Sequence, residues 1–353
     1  MRQQTLHALL GVSKTECKDD TFIDVYDLFC GAGGFSCGAE MAGCKVVFAC
    51  DCDEQALETH ALNHPDAVHV CGSLPDVSIL PIPSNRQTHM HGSPPCQMFS
   101  TVRAEATDSR EDDKRVHNAR SLVEWYLEYA IASGAATWSM EHVASAEVIN
   151  IVKRVQRKHA NTMAYAIVNL SYLGVPQTRK RLVAGTHTLI SRIVQAQCKA
   201  NQRSVRDVIT TPRGTHIRNS KSWISSSCKS VKKQARGVAP PYPVRRRTRC
   251  DAQTQVKAGL HDNLRCISKP APTVLTNGDL RWVEPLTSHR GLRLTMRELA
   301  TLQTFPVSYS LPFKKQPALK QIGNAVPPLL AKVLMDAVVH ICKTDTSCQR
   351  DCA

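Results

Sequence analysis

Between Ile23 and about Gly185, apolar runs short enough for strands alternate with stretches whose apolar residues recur at helical spacing, and few folds accept that pattern. Ile23 to Phe29 and Lys45 to Ala49 read as strands, while Phe35 to Met41 and Glu54 to Asn63 read as the helices that follow them. Each strand and helix must bury an apolar side, which a mostly parallel sheet with helices on both faces allows. Ala119 to Ala132 and Glu147 to Arg157 continue the helical spacing, and Trp138 to Val143 and Leu182 to Ala184 continue the strands. The expected fold class is α/β, a doubly wound, mostly parallel sheet with a smaller irregular domain. From Thr188 to Pro272 periodicity fades and Ser, Arg, Pro and Gln dominate. Helical patterning then returns over Met296 to Gln303 and, behind Pro327-Pro328, as far as Cys342. This divides the chain into a polar leader (1–22), a main domain (23–187), a basic region (188–272), a return to the main domain with a closing helix (273–342) and a tail (343–353).

The chain has 353 residues and 42% hydrophobic content, enough for a large core and a smaller second one. It contains no run of 18 apolar residues, and Met1 to Thr5 lacks the charged-then-apolar pattern of an export signal. The expectation is a soluble intracellular protein with no membrane partner. Fifteen cysteines, an odd number in a long chain, read as reduced thiols. Neither Cys50-Asp51-Cys52 nor the group Cys342, Cys348 and Cys352 has zinc-site spacing, so no structural metal is expected. The formal charge is +15 and unevenly placed. From Lys199 to Arg249 the residues Arg203, Arg206, Arg213, Arg218, Lys221, Lys229, Lys232, Lys233, Arg236, Arg245 to Arg247 and Arg249 face only one acid, Asp207. Such a block reads as a solvated face or a polyanion surface, and charge alone does not separate DNA from RNA.

Three constellations carry chemistry. In Gly92-Ser93-Pro94-Pro95-Cys96-Gln97, two prolines fix the backbone and forbid a helix, so Cys96 sits on a stiff turn after a strand. Alone, such a cysteine is more often a small buried hydrophobe. Trp138 to Val143 supplies Glu141, and a sulfur nucleophile beside a proton donor suits addition to an electron-poor ring. Asp27-Leu28-Phe29-Cys30-Gly31-Ala32-Gly33-Gly34-Phe35-Ser36 crosses a strand-to-helix junction where glycines admit a ligand. Asp51, ending the next strand, stands where a ribose hydroxyl is gripped. The turn departs from GxGxxG and has no phosphate-binding Lys-Ser/Thr, which favours a nucleoside cofactor without a diphosphate.

With Gly174-Val175-Pro176-Gln177-Thr178-Arg179-Lys180-Arg181, Arg293 to Glu298, Leu302 to Pro306 and Gln321 to Pro328, these motifs form an ordered set from Asp27 to Pro328. The set resembles the DNA (cytosine-5) methyltransferases. The resemblance implies S-adenosyl-L-methionine as methyl donor, double-stranded DNA as partner and a monomer, with target choice in the basic region. It assigns Cys96 to attack on cytosine C6, Glu141 to N3, Arg181 to O2, and Arg179 with Gln177 to support. Phe29, Gly31, Gly33 and Gly34 would surround the methionine part of the donor, Asp51 the ribose and Ser73 the adenine amine. Asn324 and Ala325 would complete the pocket.

The chain departs from the family pattern at His142, where Asn usually follows the glutamate, at Ser73, where Asp is preferred, and at Thr88. His142 is expected to alter how the Pro-Cys turn is held. A tRNA-directed member of the family is the alternative enzyme, though its Cys-Phe-Thr signature is absent here. A catalytically silent DNA-binding relative is the alternative of another class. The short architecture resembles bacterial and viral members, including those of restriction-modification systems.

Overall fold

The computed structural model describes residues 22–96, 110–209, 264–266, 269–276, 278, 280–283, 292–312 and 315–350. Strands β1 (Asp24–Leu28), β2 (Lys45–Asp51), β3 (Val68–Cys71), β4 (Thr88–Gly92), β5 (Thr137–Val143), β6 (Ala164–Asn169) and β7 (Lys180–Gly185) form one sheet. Their order is β3-β2-β1-β4-β5-β7-β6. The pairs from β3 to β5 are parallel, and β7 runs antiparallel between β5 and β6. The chain reverses at Pro176 and enters β7 from the edge at which the parallel strands end, so Arg181 lies opposite Val143.

Alternation along each strand feeds two cores. Val25, Val46, Val168 and Val183 point to one face, covered by α1 (Gly34–Met41) among others, and Tyr26, Leu28, Phe48, Met90 and Met140 point to the other. α2 (Glu54–Asn63) follows β2 and is capped by the Asp53 carboxylate, which accepts from Ala56 N at 3.3 Å. α3 (Arg110–Ala132) and α4 (Ala146–Lys158) cover the second face, tied by Arg154–Glu124 and Lys158–Glu128 ion pairs. The first face carries α5 (His187–Ala196), which buries Leu189, Ile190 and Ile193. Its helical spacing is one turn of apolar residues long, too short to stand out from the fading pattern after Thr188.

A third core joins Val205, Ala271 and Val274 to α6 (Met296–Leu302) and α7 (Lys315–Asn324). Thr295 opens α6 with a capping box: its hydroxyl accepts from Glu298 N, and the Glu298 carboxylate accepts from Thr295 N at 2.7 Å. Three short strands, β8 (Leu264–Cys266), β9 (Arg281–Val283) and β10 (Leu292–Arg293), form a separate small sheet. Most of the basic region, 210–263, lies outside the described residues.

α8 (Pro328–Arg350) closes the first face against α1 and α5. The stretch Gln316–Thr344, which takes in most of α7 and of α8, is long and apolar enough to cross a membrane by length and composition, but Leu330, Leu334, Met335 and Val338 are buried in the core. Glycines make the contact with α1 close. A Cβ at Gly34 would lie 2.2 Å from the Val326 carbonyl oxygen, and one at Gly38 would lie 2.1 Å from that of Pro328. Both obstacles are backbone, which cannot step aside. Gly34→Ala is therefore expected to destabilise the protein by about 1–3 kcal/mol, measured by denaturant unfolding.

Candidate active site

The register of the parallel strands gathers the candidate residues. Leu28 aligns with Cys50 and Gly92, Asp51 with Cys71, and Gly92 with Met140. Phe29, Asp51, Cys71, Ser93 and Glu141 therefore share one level along the strand-terminal edge, where open α/β sheets bind ligands.

At the centre of that edge the chain turns sharply after β1. Phe29 has φ 58°, an uncommon conformation for a bulky residue, and Gly31 and Gly33 also have positive φ. The Phe29 ring meets Trp125 and Tyr126 edge-on at centroid distances of 6.4 Å. The glycines play different parts. A Cβ at Gly31 would meet nothing within 4 Å, so this residue borders open space. Gly33 is hemmed by the Tyr309 hydroxyl and the His64 ring, and Gly34 by the returning Ala325-Val326. Asp51 braces the turn, accepting from Gly31 N and Asp53 N at 2.8 Å each. Burial pushes its carboxyl above the usual range, and the backbone donors oppose that shift. Ser73 is exposed just beyond β3, and Asn324 is exposed at the end of α7.

The cysteine turn continues the same ladder. Ser93 N donates to Leu28 O at 3.2 Å, and Ser93 Oγ donates to Phe29 O at 3.0 Å, which fastens the Pro-Pro-Cys segment to the glycine turn. Cys96 is partly buried and lies within the electrostatic reach of Glu141, Arg181 and Arg179. Burial pushes its thiol up, the Glu141 charge adds to this, and the two guanidiniums oppose it. Glu141 Oε1 stands 2.8 Å from Arg181 Nε, with both side chains about nine-tenths buried. His142 faces the other way along β5, its ring against the backbone of Pro95 and with Nδ1 3.3 Å from Val143 O. It thus braces the cysteine turn from below, where the sequence pattern leads one to expect an amide.

Arg179 and Gln177 serve as cross-ties. Arg179 donates to the carbonyls of Val274, Gly323 and Ala325 at 3.4 Å, and burial, with Arg181 adding to it, pulls its guanidinium down to about 9. Gln177 donates to Leu302 O at 2.7 Å and accepts from Val274 N at 3.0 Å. Together they hold the returning segments against the start of β7.

Sequence reasoning missed Tyr309, His64, His60 and Gln303. The Tyr309 hydroxyl donates to Ala32 O at 2.5 Å and lies 3.1 Å from His64 Nε2, and His64 Nδ1 is 2.8 Å from Glu40. Gln303 donates to Ile322 O at 2.5 Å. No local pattern marks Tyr309, His64 or His60, and the Leu302 to Pro306 motif that contains Gln303 does not announce its partner, because each acts on a part of the chain remote in sequence.

A glycine turn, a thiol and a carboxyl thus lie along one strand-terminal edge of an α/β sheet. Residues 23–121 and 141–340 match the family described as C-5 cytosine-specific DNA methylase. The chain belongs to that family and is a DNA (cytosine-5) methyltransferase. It is 27% identical over 358 residues to the Type II methyltransferase M1.HphI of Haemophilus parahaemolyticus, covering 92% of this chain and 88% of that one. It is 25% identical to M.HgiDI of Herpetosiphon aurantiacus over 86% of this chain and 90% of that protein. In fold it resembles a putative DNA modification methyltransferase encoded within a prophage of E. coli, with a TM-score of 0.56 and 20% identity over 91% of this chain and 99% of that one. It also resembles S. pombe Dnmt2 methyltransferase, with a TM-score of 0.55 and 16% identity over 91% and 98%.

Proposed function

We propose that the protein transfers a methyl group from S-adenosyl-L-methionine to C5 of a cytosine swung out of double-stranded DNA, through a transient bond between Cys96 and C6. The observation that carries this reading is Cys96 set against the buried Glu141–Arg181 pair. Cytosine C5 is a poor nucleophile until C6 is attacked, and attack builds charge that a proton on N3 relieves. The Cys96 thiol proton passes through the Glu141 carboxyl to N3 as the S–H bond gives way to the Sγ–C6 bond, and C5 gains the electron density to accept a methyl group. Loss of the C5 proton to water and cleavage of Sγ–C6, with the N3 proton returning through Glu141 to the sulfur, then release the product.

The pair also accounts for when the sulfur becomes reactive. With Glu141 charged, its field and burial keep Cys96 a thiol. Once N3 accepts the proton that Glu141 carries over from the thiol, the Arg181 and Arg179 guanidiniums stabilise the thiolate that forms, against the burial that opposes it. Reactivity is thereby tied to the presence of the base. Arg181, freed from Glu141, reaches the O2 side of the ring. Arg179, committed to the three carbonyls, positions the wall of the site.

The residues at the turn suit the donor. Gly31 borders open space, the Phe29 ring offers an aromatic face, and Asp51 has carboxylate lone pairs to spare for ribose hydroxyls. Gly33, Gly34, Asn324 and Ala325 shape the pocket wall, and exposed Ser73 is free to meet the adenine. The bound cofactor supplies an electrophilic methyl on a sulfonium. Extruding the base costs a few kcal/mol, about what new phosphate contacts return, and the basic stretch from Lys199 to Arg249 is the candidate source of those contacts. The protein acts as a monomer in this scheme.

Transfer of label from tritiated donor to duplex DNA, with tRNA offered in parallel and Cys96→Ser as control, tests the reading. Incorporation into duplex that the variant loses is expected. Label in tRNA alone would overturn the DNA assignment, and label in neither would favour a silent relative.

A further inference from the structure

A buried carboxyl beneath the glycine turn has no part in the scheme above. Asp27 is fully buried at the end of β1, two residues before Phe29. Its Oδ2 accepts from Ser36 Oγ at 2.7 Å, while Oδ1 meets no donor among the described residues. From Ser36 the contacts run on: His60 Nε2 lies 2.9 Å from Ser36 Oγ, and His60 Nδ1 lies 2.8 Å from His69 Nε2. His69 is partly exposed on β3, beside the backbone of Ala67. A continuous hydrogen-bonded chain thus leads from the carboxyl under the cofactor turn to solvent, through groups that each accept and donate.

We propose that Asp27 is a specificity-determining residue that ionises through the Ser36–His60–His69 chain when a cationic methyl donor enters, and so separates that donor from its uncharged product. The proposal rests on the reading of S-adenosyl-L-methionine as donor. Donor and product, S-adenosylhomocysteine, share adenosine and the amino acid head, and differ at sulfur by one methyl and one positive charge. A charge in a dry interior is felt beyond direct contact, because little water screens it. A carboxylate held under the turn therefore favours the sulfonium over the thioether.

The proton balance is complete. The Asp27 carboxylic acid gives its proton to Ser36 Oγ, the serine proton passes to His60 Nε2, the His60 Nδ1 proton passes to His69 Nε2, and the His69 Nδ1 proton goes to water. The carboxylate is left accepting from Ser36, as in the structure, and one proton has been exchanged for one bound positive charge.

The surroundings allow this titration near neutrality. Burial pushes Asp27 up to about 7, opposed by the Ser36 hydroxyl and by His64, and Asp51 on β2 adds to the rise. Cys30 in the turn, Tyr126 on α3 and Tyr309 also feel the Asp27 charge, and burial keeps all three protonated. His91, its register neighbour on β4, is held neutral by burial. Burial likewise keeps His60 neutral. Asp51, whose carboxyl burial also raises, braces the same turn and feels the same charge, so Asp27→Asn is the variant that separates the two carboxyls.

Calorimetric titration of the full chain with S-adenosylmethionine and with S-adenosylhomocysteine, at pH 6 and 8 and in buffers of different ionisation enthalpy, tests the inference. At pH 6 donor binding is expected to release close to one proton more than product binding. The donor-to-product affinity ratio should rise about tenfold from pH 6 to pH 8, since one proton must leave below the apo-site value near 7. Asp27→Asn should flatten that ratio while product binding persists, and the wild-type proton count stands even where the variant fails to fold. Equal proton release for both ligands, or a flat wild-type ratio, overturns the inference and leaves the cofactor reading intact. Binding of neither ligand overturns both.

Discussion

Cys96→Ala is expected to reduce methyl transfer to background, a loss of at least about 10⁴-fold, while leaving affinity for the donor unchanged. The sulfur lies on the turn after β4, and none of the contacts that brace Gly31 to Gly34 involves it. Duplex DNA carrying 5-fluorocytosine makes the test direct, because fluorine at C5 blocks the proton loss that precedes release. With donor present, wild-type protein should become covalently attached to such DNA and run as a shifted band on a denaturing gel, and Cys96→Ala should not. A shifted band in the variant would place the nucleophile elsewhere. Loss of donor affinity together with activity would give Cys96 a structural role instead.

Glu141→Gln should lower the methylation rate at least about 10²-fold, the usual range for a positioned proton donor. An amide still reaches the exocyclic amine but cannot protonate N3. The variant also has a signature that simple damage would not produce. The Glu141 charge helps push the Cys96 thiol up, and Arg181 and Arg179 pull it down. Removing the carboxylate leaves burial alone opposing the guanidiniums, so the thiol should ionise at lower pH than in the wild type and react faster with iodoacetamide near neutrality. Slower alkylation would mean that Arg181 moves away once its partner is gone, and the proposed link between base and sulfur would fail.

Much of this site is legible in the chain because its parts are local. The Pro94-Pro95-Cys96 turn, the glycine turn and the Thr295–Glu298 cap each follow from neighbouring residues whose backbone limits are known. Strand periodicity places Glu141 on a strand, and parallel register then levels it with Ser93 and Phe29. What the chain conceals is long-range. Tyr309 closes on Ala32, Gln177 on Leu302, and Arg179 on Val274 and Ala325, and nothing near any of them announces the partner. The antiparallel β7 is hidden for the same reason: an apolar run reads alike in either direction. His142 was legible as a departure, but its contact with the backbone of Pro95 is visible only in three dimensions.

The packing of α8 against α1, through the bare backbones of Gly34 and Gly38, has a consequence for biosynthesis. The glycine turn emerges early from a ribosome, and the helix that supports it emerges hundreds of residues later. Throughout elongation α1 exposes an apolar flank whose natural cover has yet to be translated. The packing of this face is therefore completed in one late step, when the two distant segments dock.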